Sequence, residues 1–163
     1  ASSAGRPTRL AKQAIGAYIA DSMDPETLYL LGPGTTVKAV TDELDLPKTL
    51  LGVDAVRQKQ LILEDINEKD ILDLLTHYPQ REIIVTPIGG NGFIFGRGNK
   101  QFTPRVIQEI GRDNIQVIAT RDKLQPLDCL RVDTGDPGVD TMLSGYMKVY
   151  VDYREGKVMK VKC

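Results

Sequence analysis

Two glycine-rich loops carry the residues with the clearest chemical potential in this sequence. The first has the sequence GPGTT and places Gly32 and Gly34 ahead of two threonines, where an apolar run gives way to a helical pattern. Glycine lets a backbone approach a ligand closely, and the free N–H groups at a helix start suit a phosphate. Thr35 and Thr36 add hydroxyl donors. We interpret this loop as a phosphate- or anion-binding loop; the alternative is a tight strand–helix turn capped by Thr35.

The second loop spans residues 86–104 and contains five glycines. Loops of this length inside a compact domain are usually functional or mobile. Arg97 and Lys100 add positive charge, whereas Phe93 and Phe95 either stack on a base or anchor the loop, and we favour anchoring for at least one of them. Because both loops follow strands of one predicted sheet, we expect them to face one crevice. The residues of this loop that we assign to phosphate or nucleotide binding are Gly89, Gly90, Asn91, Gly92 and Arg97.

Asp54 is the one candidate catalytic residue. It follows the apolar run at 49–53, which we predict to be a strand. A carboxylate there can hold a sugar hydroxyl or act as a base, and the alternative is a solvated loop aspartate or a cap. We interpret His77, at a predicted helix end, as structural. No metal site is predicted, because one histidine and two separated cysteines do not make an N/S site, and the aspartates at 133, 136 and 140 lack the calcium-loop spacing.

The composition indicates one ordinary globular domain. The chain has 163 residues and a formal net charge of -1; hydrophobic residues make up 41% and charged residues 26%. This balance argues against nucleic acid as a partner, and no apolar run is long enough for a membrane helix. Cys129 and Cys163 are expected to be free thiols of a cytoplasmic protein. The chain begins with Ala rather than Met, which suggests a piece of a longer protein.

Hydrophobic periodicity predicts an α/β fold. Helical spacing is present at 8–22 and 35–44, in a segment that Asn67 caps, and in one that begins with Thr103–Pro104 and ends at Gly111. Apolar runs predict strands at 27–31, 49–53, 82–86 and 115–119. Alternating residues at 146–153 and 157–161 predict a hairpin. We therefore expect a single α/β domain over residues 1–163, with a mostly parallel sheet flanked by helices and an antiparallel C-terminal hairpin.

The order of these motifs is similar to that of the sugar-phosphate isomerase and deaminase fold, which includes ribose-5-phosphate isomerase and glucosamine-6-phosphate deaminase. The resemblance rests on LLGPGTTVKAVTDEL, LLGVDAV, PIGGNGFIFGRGNKQFTPRVI and IQVIATRDKL. It implies that the GPGTT loop holds a substrate phosphate and that Asp54 matches the aspartate of that fold. Pro87–Ile88 and Arg105 stand where the isomerase has a lysine and a catalytic glutamate, so the resemblance implies the fold rather than the reaction.

A second resemblance covers nearly the whole chain. YLLGPGTTVKAV, TLLGVDAV, TPIGGNGFIFGRGN and VDTGDPGVDTMLSGYMKVYVDY together resemble the carboxyl-terminal half of ATP-NAD kinase-like proteins of the acetoin-catabolism X type. Members of that group carry, in an amino-terminal half, a Gly-Gly-Asp-Gly-Thr motif that binds the phosphoryl donor and supplies a key aspartate. The nearest string here is GGNGF, and its Asn91 cannot act as a general base. The resemblance implies that the chain is the C-terminal half of a two-domain protein.

This resemblance implies a nucleotide- or phosphate-binding domain of a cytoplasmic NAD kinase that makes NADP from NAD or modifies a related nucleotide. ATP or polyphosphate and a divalent cation such as Mg²⁺ are implied for the full-length protein, with no covalently bound cofactor. The implied partners are a nucleotide or phosphorylated small molecule and the chain's own N-terminal domain, with a homo-oligomer as an option. The isolated chain is expected to be inactive. The alternative is a non-catalytic sugar-phosphate or nucleotide-binding module of isomerase-like fold.

Overall fold

The helices and strands are defined here on a computed structural model that describes residues 6–163. The strands are β1 (Leu28–Leu31), β2 (Asp54–Arg57), β3 (Gln60–Leu63), β4 (Arg81–Val85), β5 (Phe93–Phe95), β6 (Ile115–Ile118), β7 (Arg131–Val132), β8 (Gly145–Asp152) and β9 (Glu155–Val161). The helices are α1 (Thr8–Ser22), α2 (Thr35–Glu43), α3 (Glu68–His77), α4 (Pro104–Ile110), α5 (Arg121–Leu124) and α6 (Pro137–Leu143).

A mixed seven-stranded sheet in the order β3-β2-β1-β4-β6-β8-β9 forms the middle layer of this described region. The central strands β1, β4, β6 and β8 are parallel, whereas β9 pairs with β8 in an antiparallel hairpin. β5 and β7 form a separate parallel pair. The predicted fold class, a mostly parallel α/β sheet with an antiparallel C-terminal hairpin, is confirmed.

Each buried strand divides its side chains between two helix layers. In β1, Leu28 and Leu30 join the larger apolar cluster, whose helical members come from α3, α4, α5 and α6. Tyr29 and Leu31 point to the opposite face and join the cluster built with α1 and α2. This alternation follows from the two-residue period of a strand, and it explains why β1 is apolar throughout.

The helix ends follow the predicted capping chemistry. Asn67 and Asp70 form a capping box at the start of α3. The hydroxyl of Thr103 accepts from the amide of Val106, Pro104 occupies the first turn of α4, and that helix ends at Gly111 with φ 87°. These local signals fix where the sheet-covering helices begin and end.

The packing of α1 on α2 depends on a glycine that the sequence pattern did not single out. A Cβ at Gly16 would lie 2.4 Å from the backbone oxygen of Ala39, so the two helices approach more closely than any larger residue allows. This close contact fixes the N-terminal half of α1 beside the loop that precedes α2, which matters for the site described below.

The predicted strand at 49–53 is wrong. Residues 50–52 form bends and residues 49 and 53 have no regular structure, whereas strand β2 starts at Asp54 and runs antiparallel to β1, with Leu31 opposite Asp54. Leu51 is 82% exposed, so this apolar run is not a buried strand. β2 continues into β3 through Gln58 and Lys59, both at positive φ. A two-residue hairpin turn usually contains Asn or Gly. Because this turn contains neither, the sequence did not predict the hairpin.

The expectation of free thiols is also wrong. Cys129 and Cys163 are joined by a disulfide, with their Cα atoms 5.6 Å apart, and no free cysteine is found between residues 6 and 163. The chain end returns beside the segment before β7, where the amide of Lys162 donates to the carbonyl of Leu130. A separation of 34 residues along the chain carries no information about this tertiary contact.

No helix in the described part of the chain is long and apolar enough to span a bilayer.

Candidate functional site

A cavity of about 430 Å³ lies at the carboxyl ends of β1, β4 and β6. Ligands of open α/β sheets bind at this edge, because the strand ends and the following helix starts converge there. We call it the threonine cavity, since its lining combines hydroxyls with charged side chains. Its hydroxyl and charged lining residues are Thr8, Lys12, Thr35, Thr36, Thr86, Thr120, Asp122 and Lys123.

The two glycines of the GPGTT loop have different structural roles. A Cβ at Gly32 would lie 3.2 Å from Val85 and 3.3 Å from the ring of Phe102, so a side chain there would require these neighbours to move by a few tenths of an ångström. Gly34 has φ 111°, and a Cβ on it would lie 2.7 Å from Cγ2 of Thr86. Glycine at both positions lets α2 start directly at the cavity wall.

The start of α2 retains free hydrogen-bonding capacity. Gly34 occupies its N-cap position, and no side chain in residues 6–163 caps the helix. The first-turn amides of a helix have no intrahelical partner, and the helix dipole places positive potential there. The exposed Thr35 and the buried Thr36 begin the helix and line the threonine cavity. An anion in the cavity would meet donors already fixed in place.

Two lysines add positive charge to this cavity. The ammonium of Lys12 on α1 donates to Oγ1 of Thr35 at 2.7 Å, which ties α1 to the loop. Lys123 on α5 lines the same cavity. The one lining carboxylate, Asp122, accepts a hydrogen bond from the hydroxyl of Thr8. The charged side chains that line the cavity therefore sum to one net positive charge, which favours an anionic guest.

The second glycine loop is divided among three places. Gly89 lines the threonine cavity with Gly34, Thr35 and Thr36, which brings part of the two loops together as expected. Gly90 and Asn91 line a separate cavity of about 460 Å³ beside the disulfide. Gly92 is buried, with φ 81°, and a Cβ there would lie 3.0 Å from the carbonyl oxygen of Cys129. The positions of Gly90, Asn91 and Gly92 do not test their assignment to ligand binding, which stays a prediction.

Arg97 and the phenylalanines of this loop also separate. Arg97 is 73% exposed and pairs with Asp133 at 3.0 Å. Phe95 is buried and packs edge-to-face against Phe102, with ring centroids 5.8 Å apart, so it anchors the loop in the core. Phe93 is half-buried and borders two cavities.

Asp54 is fully buried in an ion pair. Its Oδ2 lies 2.8 Å from Nζ of Lys48, and the two side chains are 0% and 2% exposed. The carboxylate also accepts from the amides of Thr49 and Asp65. Burial raises the pKa of Asp54, but these hydrogen bonds outweigh it and hold the pKa below its usual value. The residue is therefore ionised and enclosed, which suits a structural anchor better than a base.

The remaining polar candidates stabilise turns. Asp136 caps α6 by accepting from the amides of Gly138 and Val139. Asp140 accepts from the amide and the hydroxyl of Thr134. His77, exposed at the end of α3, shares a hydrogen bond with the carbonyl of Asp73. Among residues 6–163, no group of three or more His, Cys, Asp or Glu side chains is arranged to hold a metal ion.

Six hydroxyl and charged lining residues of the threonine cavity were not predicted from the sequence: Thr8, Lys12, Thr86, Asp122, Thr120 and Lys123. A signal existed for the last two, because Thr120 directly follows the predicted strand at 115–119 and so belongs to the carboxyl edge of the sheet. No local signal existed for Lys12. Its place depends on the close packing of α1 against α2 at Gly16, which is a tertiary contact.

Comparison with known proteins gives one match. The family model described as the ATP-NAD kinase C-terminal domain matches residues 24–161. No curated protein and no solved structure matches the chain. The matched range contains the whole sheet and the GPGTT loop, whereas Lys12 on α1 lies before it.

Proposed function

The chain belongs to the family of ATP-NAD kinase C-terminal domains, and on that premise we propose that it binds the phosphate of a nucleotide for an NAD kinase-like phosphotransferase. The observation that carries the proposal is the threonine cavity. Uncapped amides of α2, the hydroxyls of Thr35 and Thr36, and the ammonium groups of Lys12 and Lys123 meet there at one sheet edge. Phosphoryl transfer depends mainly on positioning and charge stabilisation, which such a set of donors supplies.

The proposal divides the labour between two domains. Asp54 is enclosed with Lys48, so it does not support a role as general base. Asp122 lines the cavity and accepts from Thr8, and we assign it no catalytic role. The catalytic carboxylate, the phosphoryl donor (ATP or polyphosphate) and a divalent cation such as Mg²⁺ would then be held chiefly by the chain's own N-terminal domain. NAD or a related nucleotide is the proposed acceptor. The cytoplasm is the proposed compartment on the family match alone, because the Cys129–Cys163 disulfide removes the free-thiol argument for it.

The second candidate function is a module that binds a sugar phosphate or nucleotide without chemistry. The enclosed Asp54 favours this candidate over an isomerase or deaminase, because those reactions need an accessible base. Both candidates use the threonine cavity for the phosphate. They differ in the rest of the ligand, so nucleotide preference supports the kinase-like domain and sugar-phosphate preference supports the module.

Removing the cavity's lysines is expected to weaken phosphate binding. In Lys12→Met and in Lys123→Met the affinity of the chain for ADP should fall about tenfold or more, because a hydrogen bond to a charged group contributes roughly 1.5–3 kcal/mol. Titration calorimetry on the 163-residue chain measures both affinities. The matched control is Lys69→Met, since Lys69 is exposed on α3 and lines no part of the cavity.

Wild-type affinity in both folded cavity variants would contradict the assignment of this cavity to phosphate. An equal loss in Lys69→Met would also contradict it, because ADP binding would then respond to overall charge.

A further inference from the structure

A second cavity adjoins the threonine cavity across a shared wall. It measures about 480 Å³, within the range of small-molecule sites, and shares Thr86 and Ile88 with the threonine cavity. Ile88 is 50% exposed, and a Cβ at Gly34 would lie 3.4 Å from its Cδ1, so it stands beside the GPGTT loop. We call this second space the phenylalanine cavity, because Phe93 and Phe102 both line it.

The walls of the phenylalanine cavity are firmly held. Phe102 is buried and packs edge-to-face against Phe95. Ile94 is buried in the larger apolar cluster. The side-chain Oδ1 of Asn99 accepts from the amides of Gln101 and Phe102 at 2.9 and 2.8 Å, which closes the end of the glycine loop. A ligand would therefore enter a space that exists before it binds, and little order would have to be created.

The lining chemistry fits a planar heteroaromatic ring. The half-buried Phe93 offers aromatic surface and Ile88 offers aliphatic surface, whereas the buried Phe102 and Ile94 support the wall from behind. Asn99 has its oxygen engaged with the backbone, so the group it presents to a ligand is its amide nitrogen, a donor. Thr86 and Arg97 also line the cavity and add donors to that of Asn99. A largely apolar space with a few donors suits a nucleobase, which combines a stacking face with acceptors on its edge. A sugar alone would leave the aromatic surface unused.

We propose that the phenylalanine cavity binds the base of a nucleotide whose phosphate occupies the threonine cavity. The two cavities share Thr86 and Ile88, so one ligand extends from the phosphate site past Ile88 to the ring site. This assignment rests on the proposed function. It adds recognition of the base, whereas the threonine cavity recognises the phosphate. It makes this chain selective for nucleotides over sugar phosphates.

The test compares two ligands that differ by the base. AMP and ribose 5-phosphate carry the same phosphate on the same sugar, so the ratio of their dissociation constants isolates the contribution of the base. We expect the 163-residue chain to bind AMP about tenfold more tightly than ribose 5-phosphate, because stacking of one base on aromatic side chains gives an effect of that order. Equal affinities would overturn the inference and leave the phosphate site standing, whereas no binding of either ligand would overturn both.

A variant that fills the phenylalanine cavity tests whether the AMP preference arises there. Gly96 lines the phenylalanine cavity, and a Cβ there would meet no atom within 4 Å, so a larger side chain can be accommodated. In Gly96→Phe the preference for AMP should disappear while ribose 5-phosphate binds as in the wild type. Val158→Phe is the control, since Val158 is exposed on β9 and lines neither cavity.

Shortening a side chain that lines the phenylalanine cavity provides a second, independent variant in case Gly96→Phe does not fold. Phe93→Ala removes aromatic surface from a half-buried position and should reduce the AMP preference several-fold at unchanged ribose 5-phosphate affinity. A full AMP preference in either folded variant, checked by circular dichroism, would show that the base binds elsewhere and overturn the inference.

Discussion

Asp54→Asn is expected to destabilise the fold by about 3–5 kcal/mol, because it leaves the buried ammonium of Lys48 without its counter-charge. Lys48 is 2% exposed and otherwise donates only to the carbonyls of Thr49 and Gly52. Urea unfolding at neutral pH measures the loss. If Asp54 instead served a ligand at an accessible site, the same substitution would leave stability nearly unchanged.

The double variant Lys48→Met/Asp54→Asn is the matched control. Methionine has a similar length and no charge, so the double variant should be more stable than Asp54→Asn alone, because the unpaired cation is gone. A double variant as unstable as the sum of the two single variants would show that the ion pair contributes no coupling.

The same ion pair predicts a pH dependence. The pKa of Asp54 is lower in the folded chain than its usual value, so its contribution to stability is complete above the unfolded pKa of about 3.9. The contribution disappears as the pH falls through the folded pKa. The stability difference between the wild type and Asp54→Asn should therefore shrink below about pH 4.

Gly34→Val is expected to weaken ADP binding about a hundredfold or more while the fold persists. A β-branched residue at φ 111° is strained, and its Cβ would lie 2.7 Å from Thr86, so the loop must move away from the position that opens the first turn of α2. Losing two charge-assisted hydrogen bonds from these amides accounts for that size of effect. Calorimetric titration of the folded variant gives the affinity.

Gly111→Val is the control that separates the effect of backbone strain on stability from an effect on ADP binding in the threonine cavity. Gly111 has φ 87° and open space around it, but it ends α4 and lines no part of the threonine cavity. Both variants should lose about 1–3 kcal/mol of stability, and ADP affinity should fall only in Gly34→Val. A folded Gly34→Val with wild-type affinity would mean that the GPGTT loop serves as a turn alone.

The sequence predicted the elements that carry strong local signals. The apolar run at 27–31, the Thr103–Pro104 helix start and the alternation in 146–153 each reflect short-range periodicity or capping, and each element is present. The GPGTT loop was located for a similar reason, because a strand followed by two glycines and a helix is visible within one short stretch.

What the sequence could not predict depends on contacts that no local sequence pattern marks. The apolar Leu50 and Leu51 match the sequence pattern of a buried strand, but both side chains are exposed, and the antiparallel β2–β3 hairpin follows them. Asp54 looked like an accessible carboxylate because its partner, Lys48, lies six residues earlier with no pattern to mark the pair. Lys12 reaches the site only through the α1–α2 packing.

The central claim is that the threonine cavity receives the phosphate of a nucleotide. The most direct measurement is a titration of the isotope-labelled chain with ADP, followed through its backbone amide NMR signals. The account predicts that the largest shifts fall on residues 34–36 and on Gly89, Thr120, Asp122 and Lys123, which line that cavity. Shifts confined to the cavity of Gly90 and Asn91 beside the disulfide, or no shifts at all, would contradict it.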